Sequence, residues 1–303
     1  MCRLNNPVRA RAFVTGGSGF IGCHMCRTLE AEGYSVINYD LKNGCNILDK
    51  VQLKGMLSES NPDEVYHLAA QAFVGPGEKD PYLDLEINGK GMLNLLTALT
   101  ELRDEKGLVP PTVFSSSGSV YGLTDSFPHK ENALIKPTAN YGCTKRLAEI
   151  YMQKWAIMAG LNIKAVRFSS VYGPGRGFNG PVNIFIELTK QMKPLTVYGD
   201  GSQTRDLLYI DDAISGLRHV LKHGVPGEIY NIGSGVETSV LQVAQIISKY
   251  TENGYRLVEG HKFSKFDVAR SYYDINKIRS IGWTPKYLPD EGINHLLKLE
   301  GII

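Results

Sequence analysis

The sequence lacks an excess of charge of either sign. Its 303 residues carry 33 Lys and Arg against 31 Asp and Glu, a formal net charge of +2. A near-neutral chain offers no bulk attraction to a polyanion, so no nucleic-acid partner is expected. Long hydrophobic runs are also missing. No apolar stretch reaches the ~18 residues of a membrane span, and no membrane partner is expected. The first ten residues, MCRLNNPVRA, contain no apolar h-region, so no signal peptide is expected. Cysteine is sparse and odd in number, with five at positions 2, 23, 26, 45 and 143. Cys23 and Cys26 form a C-x-x-C, but no second Cys/His pair has zinc spacing, which argues against a metal or redox site. Reduced thiols in a cytoplasmic protein are the simpler expectation. Disorder is excluded too, because 43% of the residues are hydrophobic and a chain of this length can bury a full core.

What is present is a regular alternation of strands and helices. Residues 12–15 read as a short apolar strand that runs into glycines, followed by a helix over 20–32. Residues 34–39 form a second strand ending at Asp40, and 64–68 a third. Leu85, Met92, Leu95, Leu96 and Leu99 give helical spacing over 83–102. A fourth strand is expected at 112–115, a helix at 141–159 and a fifth strand at 163–168. This rhythm predicts an α/β fold with a doubly wound parallel sheet. Beyond Val171 the texture changes: Gly and Pro cluster over 172–181 and the elements shorten, which points to a smaller, mixed α/β lobe built from the later chain. The expected division assigns residues 1–168 and about 202–235 to the sheet domain, and about 169–201 and 236–303 to the lobe.

The first motif with chemistry is the glycine turn Thr15-Gly16-Gly17-Ser18-Gly19-Phe20-Ile21-Gly22. Gly17, Gly19 and Gly22 fit G-x-G-x-x-G, while Gly16, Gly19 and Gly22 fit G-x-x-G-x-x-G. In either frame, glycines permit a tight strand-to-helix turn and close backbone approach to a pyrophosphate, which the helix N-terminus then attracts. Asp40 follows 18 residues after Gly22, at the end of the second strand. That spacing suits a carboxylate on the adenosine ribose, and its charge favours NAD over NADP. Asn46 and Ile47 fall where the adenine would be bordered. A plain structural turn with a surface aspartate is the bland alternative.

The second constellation is Tyr141-Gly142-Cys143-Thr144-Lys145. Residues four apart share a helix face. A tyrosine has an ordinary pKa of about 10, and a neighbouring ammonium together with an oxidised nicotinamide favours the phenolate that can accept a hydroxyl proton. Taken alone, Tyr141 and Lys145 are equally well an ordinary amphipathic helix. The third piece is the serine run at the end of the fourth strand, Ser115-Ser116-Ser117, followed by Gly118 and Ser119. C-terminal strand ends line the ligand crevice of a doubly wound sheet, so a hydroxyl there can share a substrate oxygen with the tyrosine.

Glycine turn, Asp40, serine run and Tyr-x-x-x-Lys, in this order, resemble the extended short-chain dehydrogenase/reductases that act on nucleotide sugars, a family of NAD-dependent epimerases and dehydratases. The resemblance covers nearly the whole chain and is strongest to the UDP-glucose/UDP-galactose 4-epimerases. It includes HLAAQ (67–71), INGKGMLNLL (87–96), FSSSGSVYG (114–122), RFSSVYGPG (167–175), VYGDGSQTRDLLYIDD (197–212), IYNIGSG (229–235) and DINKIRSIGWTPK (274–286). It implies a Rossmann domain that binds NAD through the glycine turn, Asp40, Leu68, Ala69, Ala70, Gln71, Asn88, Ser115, Tyr141, Lys145 and Phe168. It implies Ser117, Tyr141 and Lys145 as the catalytic residues. For the nucleotide sugar it implies Phe73, Ser117, Gly118, Ser119, Tyr141, Ser170 and Asn183. Val197 and Tyr198 would lie by the base and Arg205 by the diphosphate; the family's second diphosphate arginine would fall at Ser264, before Asp267, where Lys262 or Lys265 is left to substitute.

The reaction implied is transient oxidation at C4 to a 4-keto sugar, followed by hydride return to the other face. In dehydratases of the family an acidic residue precedes the Val/Leu-Tyr-Gly, where this chain has Ser119. That favours a 4-epimerase, with UDP-hexose as substrate. A GDP- or CDP-sugar epimerase, a 4-keto-sugar reductase and a 4,6-dehydratase share the fold and stay open. A non-catalytic NAD-binding regulator would be expected to lose the tyrosine or the lysine, and both are here. The family also implies a homodimer through a four-helix bundle, with Ile150, Trp155 and Ile157 among the apolar positions available. His24 and His67 read as structural, and His219 and His223 as a surface pair without further ligands.

Overall fold

The computed structural model describes residues 10–175, 180–259 and 268–303. The first half runs β1 (Arg11–Thr15), α1 (Phe20–Ala31), β2 (Ser35–Tyr39), α2 (Lys50–Ser60), β3 (Glu64–His67), α3 (Val74–Lys79), α4 (Pro81–Asp84), α5 (Gly91–Lys106), β4 (Thr112–Ser117), α6 (Asn140–Met158) and β5 (Ile163–Phe168). The second half runs β6 (Ser170–Tyr172), α7 (Pro181–Lys190), β7 (Leu195–Tyr198), β8 (Thr204–Tyr209), α8 (Ile210–His223), β9 (Ile229–Ile232), β10 (Glu237–Ser239), α9 (Val240–Tyr250), β11 (Tyr255–Val258), α10 (Asn276–Ser280) and α11 (Pro289–Leu299).

Six strands make one parallel sheet in the order β2-β1-β3-β4-β5-β9. Apart from the edge strand β2, the strands are almost wholly buried, as expected of a parallel sheet covered on both faces. One face packs α1 and α8, with Met25, Leu29, Leu217 and Leu221 in the core; the other packs α2, α5 and α6, with Leu53, Leu95, Leu99 and Met152. The order reverses beside β1, since β2 lies to one side and β3 to the other. This switch point opens a crevice outside the carboxyl ends of β1 and β3, the usual ligand position in such sheets. The later chain adds a three-stranded sheet, β10-β8-β6, and a parallel pair, β11-β7. It also returns α8 and β9 to the main sheet.

The doubly wound sheet matches the sequence expectation, with strand ends shifted by a residue or two. One element differs in kind. The single helix expected over 83–102 is α4, a π-helical turn over Leu85–Lys90, and α5. The buried side chain of Asn88 and the side-chain-free face of Gly89 lie in the wide turn, and Gly91, which opens α5, is pressed on Ile47. A π-turn inside a helix commonly marks a functional position. Among the described residues, no helix is long and apolar enough to cross a membrane.

Candidate active site

At the carboxyl end of β1 the glycine turn has no room for side chains at three of its positions. Gly16 has φ +70°, and a Cβ there would come within 2.6 Å of Ala69 N. A Cβ on Gly22 would run into Gly16 O, and one on Gly17 into Asn38 Oδ1. Gly19 is different. It has ordinary extended dihedrals, and the nearest atom to its added Cβ is Gly16 O at 3.3 Å. It caps α1 with no side-chain hydrogen bond, and no acidic residue lies in the first turn. Phe20, Ile21 and Gly22 therefore begin a helix whose first turn offers its N–H groups and dipole no anionic side chain among the described residues.

Asp40 sits just beyond β2. Its carboxylate accepts hydrogen bonds from Ser18 N at 3.1 Å and Lys42 N at 2.9 Å, which ties it to the glycine turn. Leu68 and Ala69 are held to β1 by Leu68 N donating to Thr15 O at 3.0 Å and Ala69 N to Thr15 Oγ1 at 3.2 Å. His67 Nδ1 meets the same hydroxyl at 2.7 Å, and burial pushes its pKa down to about 3. It is a neutral structural histidine. His24 likewise bonds Pro174 O through Nε2 at 3.1 Å.

The serine, tyrosine and lysine converge. The Ser117 hydroxyl lies close enough to the Tyr141 phenol to oppose the rise in its pKa, and Ser117 Oγ lies 3.1 Å from both Ser119 Oγ and Ser119 N. Lys145 Nζ donates to Ser115 O at 2.8 Å and lies 5.8 Å from the Tyr141 ring centre. Ser115 Oγ in turn donates to His67 O at 3.2 Å. One detail departs from the sequence argument. The lysine is aimed at a strand carbonyl, and burial dominates both groups: it pushes Tyr141 up to about 12 and Lys145 down to about 7. The chain alone holds the tyrosine as a phenol, and a further positive charge beside it is needed to favour the phenolate.

Other expected residues are spent differently. The side chains of Gln71 and Asn88 are used up by the protein. Gln71 Nε2 donates to Phe73 O and to Asp84 Oδ1, and its Oε1 accepts from Phe73 N. Asn88 Oδ1 accepts from Gln71 N, while Nδ2 donates to Gln71 O and Thr144 Oγ1. These side chains position the loop after β3 against α6, so neither carboxamide has donors to spare for a ligand. Ile47 is buried in the core under α5, and its backbone oxygen accepts from Asn94 Nδ2. Asn46 is exposed beside it, with Oδ1 accepting from Leu48 N. The Val197 side chain, on β7, is fully buried in the core, which leaves only its backbone for a base; Tyr198 next to it is exposed. Phe73 is exposed, which removes packing as its explanation. Phe168 ends β5 buried, Ser170 begins β6, and Asn183 lies in the first turn of α7. Arg205 lies on β8 and donates to Thr204 O. Lys265 lies outside the described residues, as do Lys262, Ser264 and Asp267.

Residues 12–233 match the family of NAD dependent epimerases/dehydratases. The chain belongs to that family. It is 34% identical to a putative UDP-glucose 4-epimerase of Methanocaldococcus jannaschii, over 94% of this chain and 96% of that one. It is 29% identical to the dTDP-D-glucose 4,6-dehydratase of Homo sapiens, over 95% and 89%. Among solved structures it resembles the UDP-glucose 4-epimerase of Thermotoga maritima with UDP-glucose, at a TM-score of 0.88 and 31% identity over 96% and 98% of the two chains.

As a member of the family the protein uses NAD, and its own residues fit that cofactor. The uncapped N-terminus of α1 suits a pyrophosphate, and the open face of Gly19 leaves space for it. Asp40, tied to the glycine turn at the end of β2, would suit a ribose hydroxyl and repel a 2′-phosphate.

Four residues of the site were not anticipated. Thr144 receives Asn88. Asp84 is fully buried, with Oδ2 lacking a hydrogen-bond partner among the described residues and its charge felt by both Tyr141 and Lys145. Glu149 and Arg167 form a buried ion pair behind the serine run. Glu149 could have been found by spacing, because it continues the face of Tyr141 and Lys145 by one more step of four. Arg167 is, with Lys164, one of two cations inside a fully buried strand, which is a signal for a paired charge.

Proposed function

We propose that this protein is a nucleotide-sugar 4-epimerase with a UDP-hexose as substrate. The observation that carries the reading is the convergence of Tyr141 on the Ser117 hydroxyl, which Ser119 meets at 3.1 Å. Tyr141 takes the proton of the sugar 4-hydroxyl and later returns it. Ser117 donates to the same oxygen and fixes its direction. Lys145, anchored on Ser115 O, holds a nicotinamide ribose hydroxyl and adds positive charge near the phenol. When bound, NAD would supply reversible hydride transfer at C4 with no net consumption. Water elimination would need a carboxylic acid near C5 and C6; Gly118 and Ser119 supply no carboxyl, which supports epimerisation over dehydration. Asp40 holds the adenosine ribose, Arg205 the diphosphate and Tyr198 the base.

The reading extends to assembly and organisation. Leu85, Ile150, Ile157 and Met158 are exposed apolar residues on or beside α5 and α6, which supports a homodimer through those helices. The four described cysteines are free, in keeping with a cytoplasmic location. The lobe formed by about 169–201 and 236–303 would carry most of the nucleotide contacts.

The test is incubation of the purified protein with UDP-glucose or UDP-galactose and NMR of the product. Inversion at C4 without net NADH is expected, and Tyr141→Phe should lower the rate ~10²–10⁴-fold. A 4-keto-6-deoxy product, or a variant as fast as the native protein, would overturn the reading.

A further inference from the structure

Gly118 follows Ser117 directly and starts the short 3-10 turn after β4. A Cβ on Gly118 would fall on the hydroxyl of Tyr273. A tyrosine distant in sequence thus fills the space that a side chain at 118 would take, next to the Ser117–Tyr141 pair. Its ring is firmly set. Tyr273 N donates to Asp206 Oδ2 at 3.3 Å, and Asp206 is itself anchored by Ser234 N, Ser234 Oγ and Gly235 N. The ring packs at 5.7 Å from both Tyr121 and His129. The residue also stands by β8, the strand of Arg205, so it links the hydroxyl pair to the candidate diphosphate arginine.

The hydroxyl itself is less committed. Among the described residues its polar contact is Ser271 Oγ at 3.4 Å, at the long limit of a hydrogen bond. Burial pushes the phenol up to about 12, so it keeps its proton at neutral pH. A buried, protonated hydroxyl with unspent donor capacity beside a catalytic serine is placed to meet an acceptor on a ligand.

We propose that Tyr273 contacts the substrate, its hydroxyl donating to an oxygen of the hexose next to the carbon addressed by Ser117 and Tyr141, and that Gly118 is the residue that makes room for it. This rests on the nucleotide-sugar reading. It makes the tyrosine a determinant of affinity for the sugar and not for the nucleotide.

The experiment measures affinity for UDP, GDP, CDP and dTDP, each with and without its attached hexose, in the NAD-loaded native protein and in Tyr273→Phe. Phe keeps the ring and its packing and removes only the donor. The native protein is expected to gain affinity from the hexose of one nucleotide. Tyr273→Phe should bind the bare diphosphate as the native protein does and lose ~3–10-fold of the sugar-dependent gain, the loss of one neutral hydrogen bond. Gly118→Ala, which forces the hydroxyl aside, should reduce the same gain with NAD content unchanged. An equal gain in Tyr273→Phe and native protein overturns the proposal and leaves the epimerase reading standing. A gain confined to GDP, CDP or dTDP sugars overturns the UDP assignment, and Tyr273 is then judged on that sugar. No gain from any hexose in the native protein overturns both.

Discussion

The Asn88 carboxamide donates to the Thr144 hydroxyl at 3.1 Å across a buried contact between the π-turn and α6. Thr144 lies between Tyr141 and Lys145, so the position of the helix that carries them is referred through one side chain to Gln71 and the loop after β3. Asn88→Ala would leave the buried N–H and C=O of Gln71 unpaired. The expected cost is ~1–3 kcal/mol of stability. A small displacement of α6 also lowers kcat by ~10-fold or more, because the geometry of the Tyr141–Ser117 pair degrades. Thermal unfolding and steady-state assays check this, and an unchanged kcat would show that Asn88 does not position the helix.

A second bolt lies behind the same residues. Arg167 Nε and Nη2 donate to the two oxygens of Glu149 at 2.8 and 2.9 Å, and Ser116 Oγ donates to Glu149 Oε1 at 2.6 Å. Arg167 also donates to Tyr121 and to Glu131 O, so β4, β5 and α6 are joined at the base of the site. Glu149→Ala strands a fully buried guanidinium, and a loss of ~3–5 kcal/mol is expected in chemical denaturation. Replacing both partners by apolar residues should recover much of that loss. Equal stability of the single variant and the native protein would contradict the burial of the pair.

The legible and illegible parts of this molecule divide by range. The strands and the glycine turn were readable because alternation of period and glycine placement are local signals. Tyr141, Lys145 and the serine run could be named for the same reason. Asp84, Thr144 and the Glu149–Arg167 pair were not, because their meaning lies in partners 13 to 56 positions away. The break at Leu85–Lys90 was hidden for a related reason. Its apolar spacing is helical, and only the tertiary demand on Asn88 widens the turn. Val197 and Gln71 show the converse, since a motif position does not say which way a side chain faces or what it is already bound to.

The glycine turn yields a contrast. A Cβ on Gly22 collides with a backbone oxygen that cannot move far, whereas one on Gly19 meets a tight contact with Gly16 O at 3.3 Å that a shift of a few tenths of an ångström relieves. Gly22→Ala should therefore lower the melting temperature and reduce bound NAD together. Gly19→Ala should fold with nearly native stability and still bind NAD poorly, because its methyl group enters the space before the helix N-terminus. Thermal unfolding combined with the NAD content of the purified variants separates the two. A Gly19→Ala protein that retains full NAD would show that the pyrophosphate does not approach there.

Lys145 supplies a prediction with a definite sign. Burial holds its pKa down to about 7 from an ordinary 10.5. Between those values the unfolded chain binds a proton that the folded chain does not, so this group makes stability rise with pH from about 7 towards 10.5. Below about 7 both states are protonated, and the full cost of burying the ammonium is present. Lys145→Met removes that cost, so the variant should be more stable than the native protein near pH 7 and show a shallower rise in melting temperature from pH 7 to 9. A residual slope should remain, because burial also lowers Lys164, to about 8. The same variant should lose ~10²-fold or more in kcat, since the charge beside Tyr141 is gone. Higher stability with lower activity is the signature of a lysine kept in an unfavourable place for its chemistry. An unchanged pH slope would mean that the lysine is paired or hydrated in solution and that its burial does not set its charge.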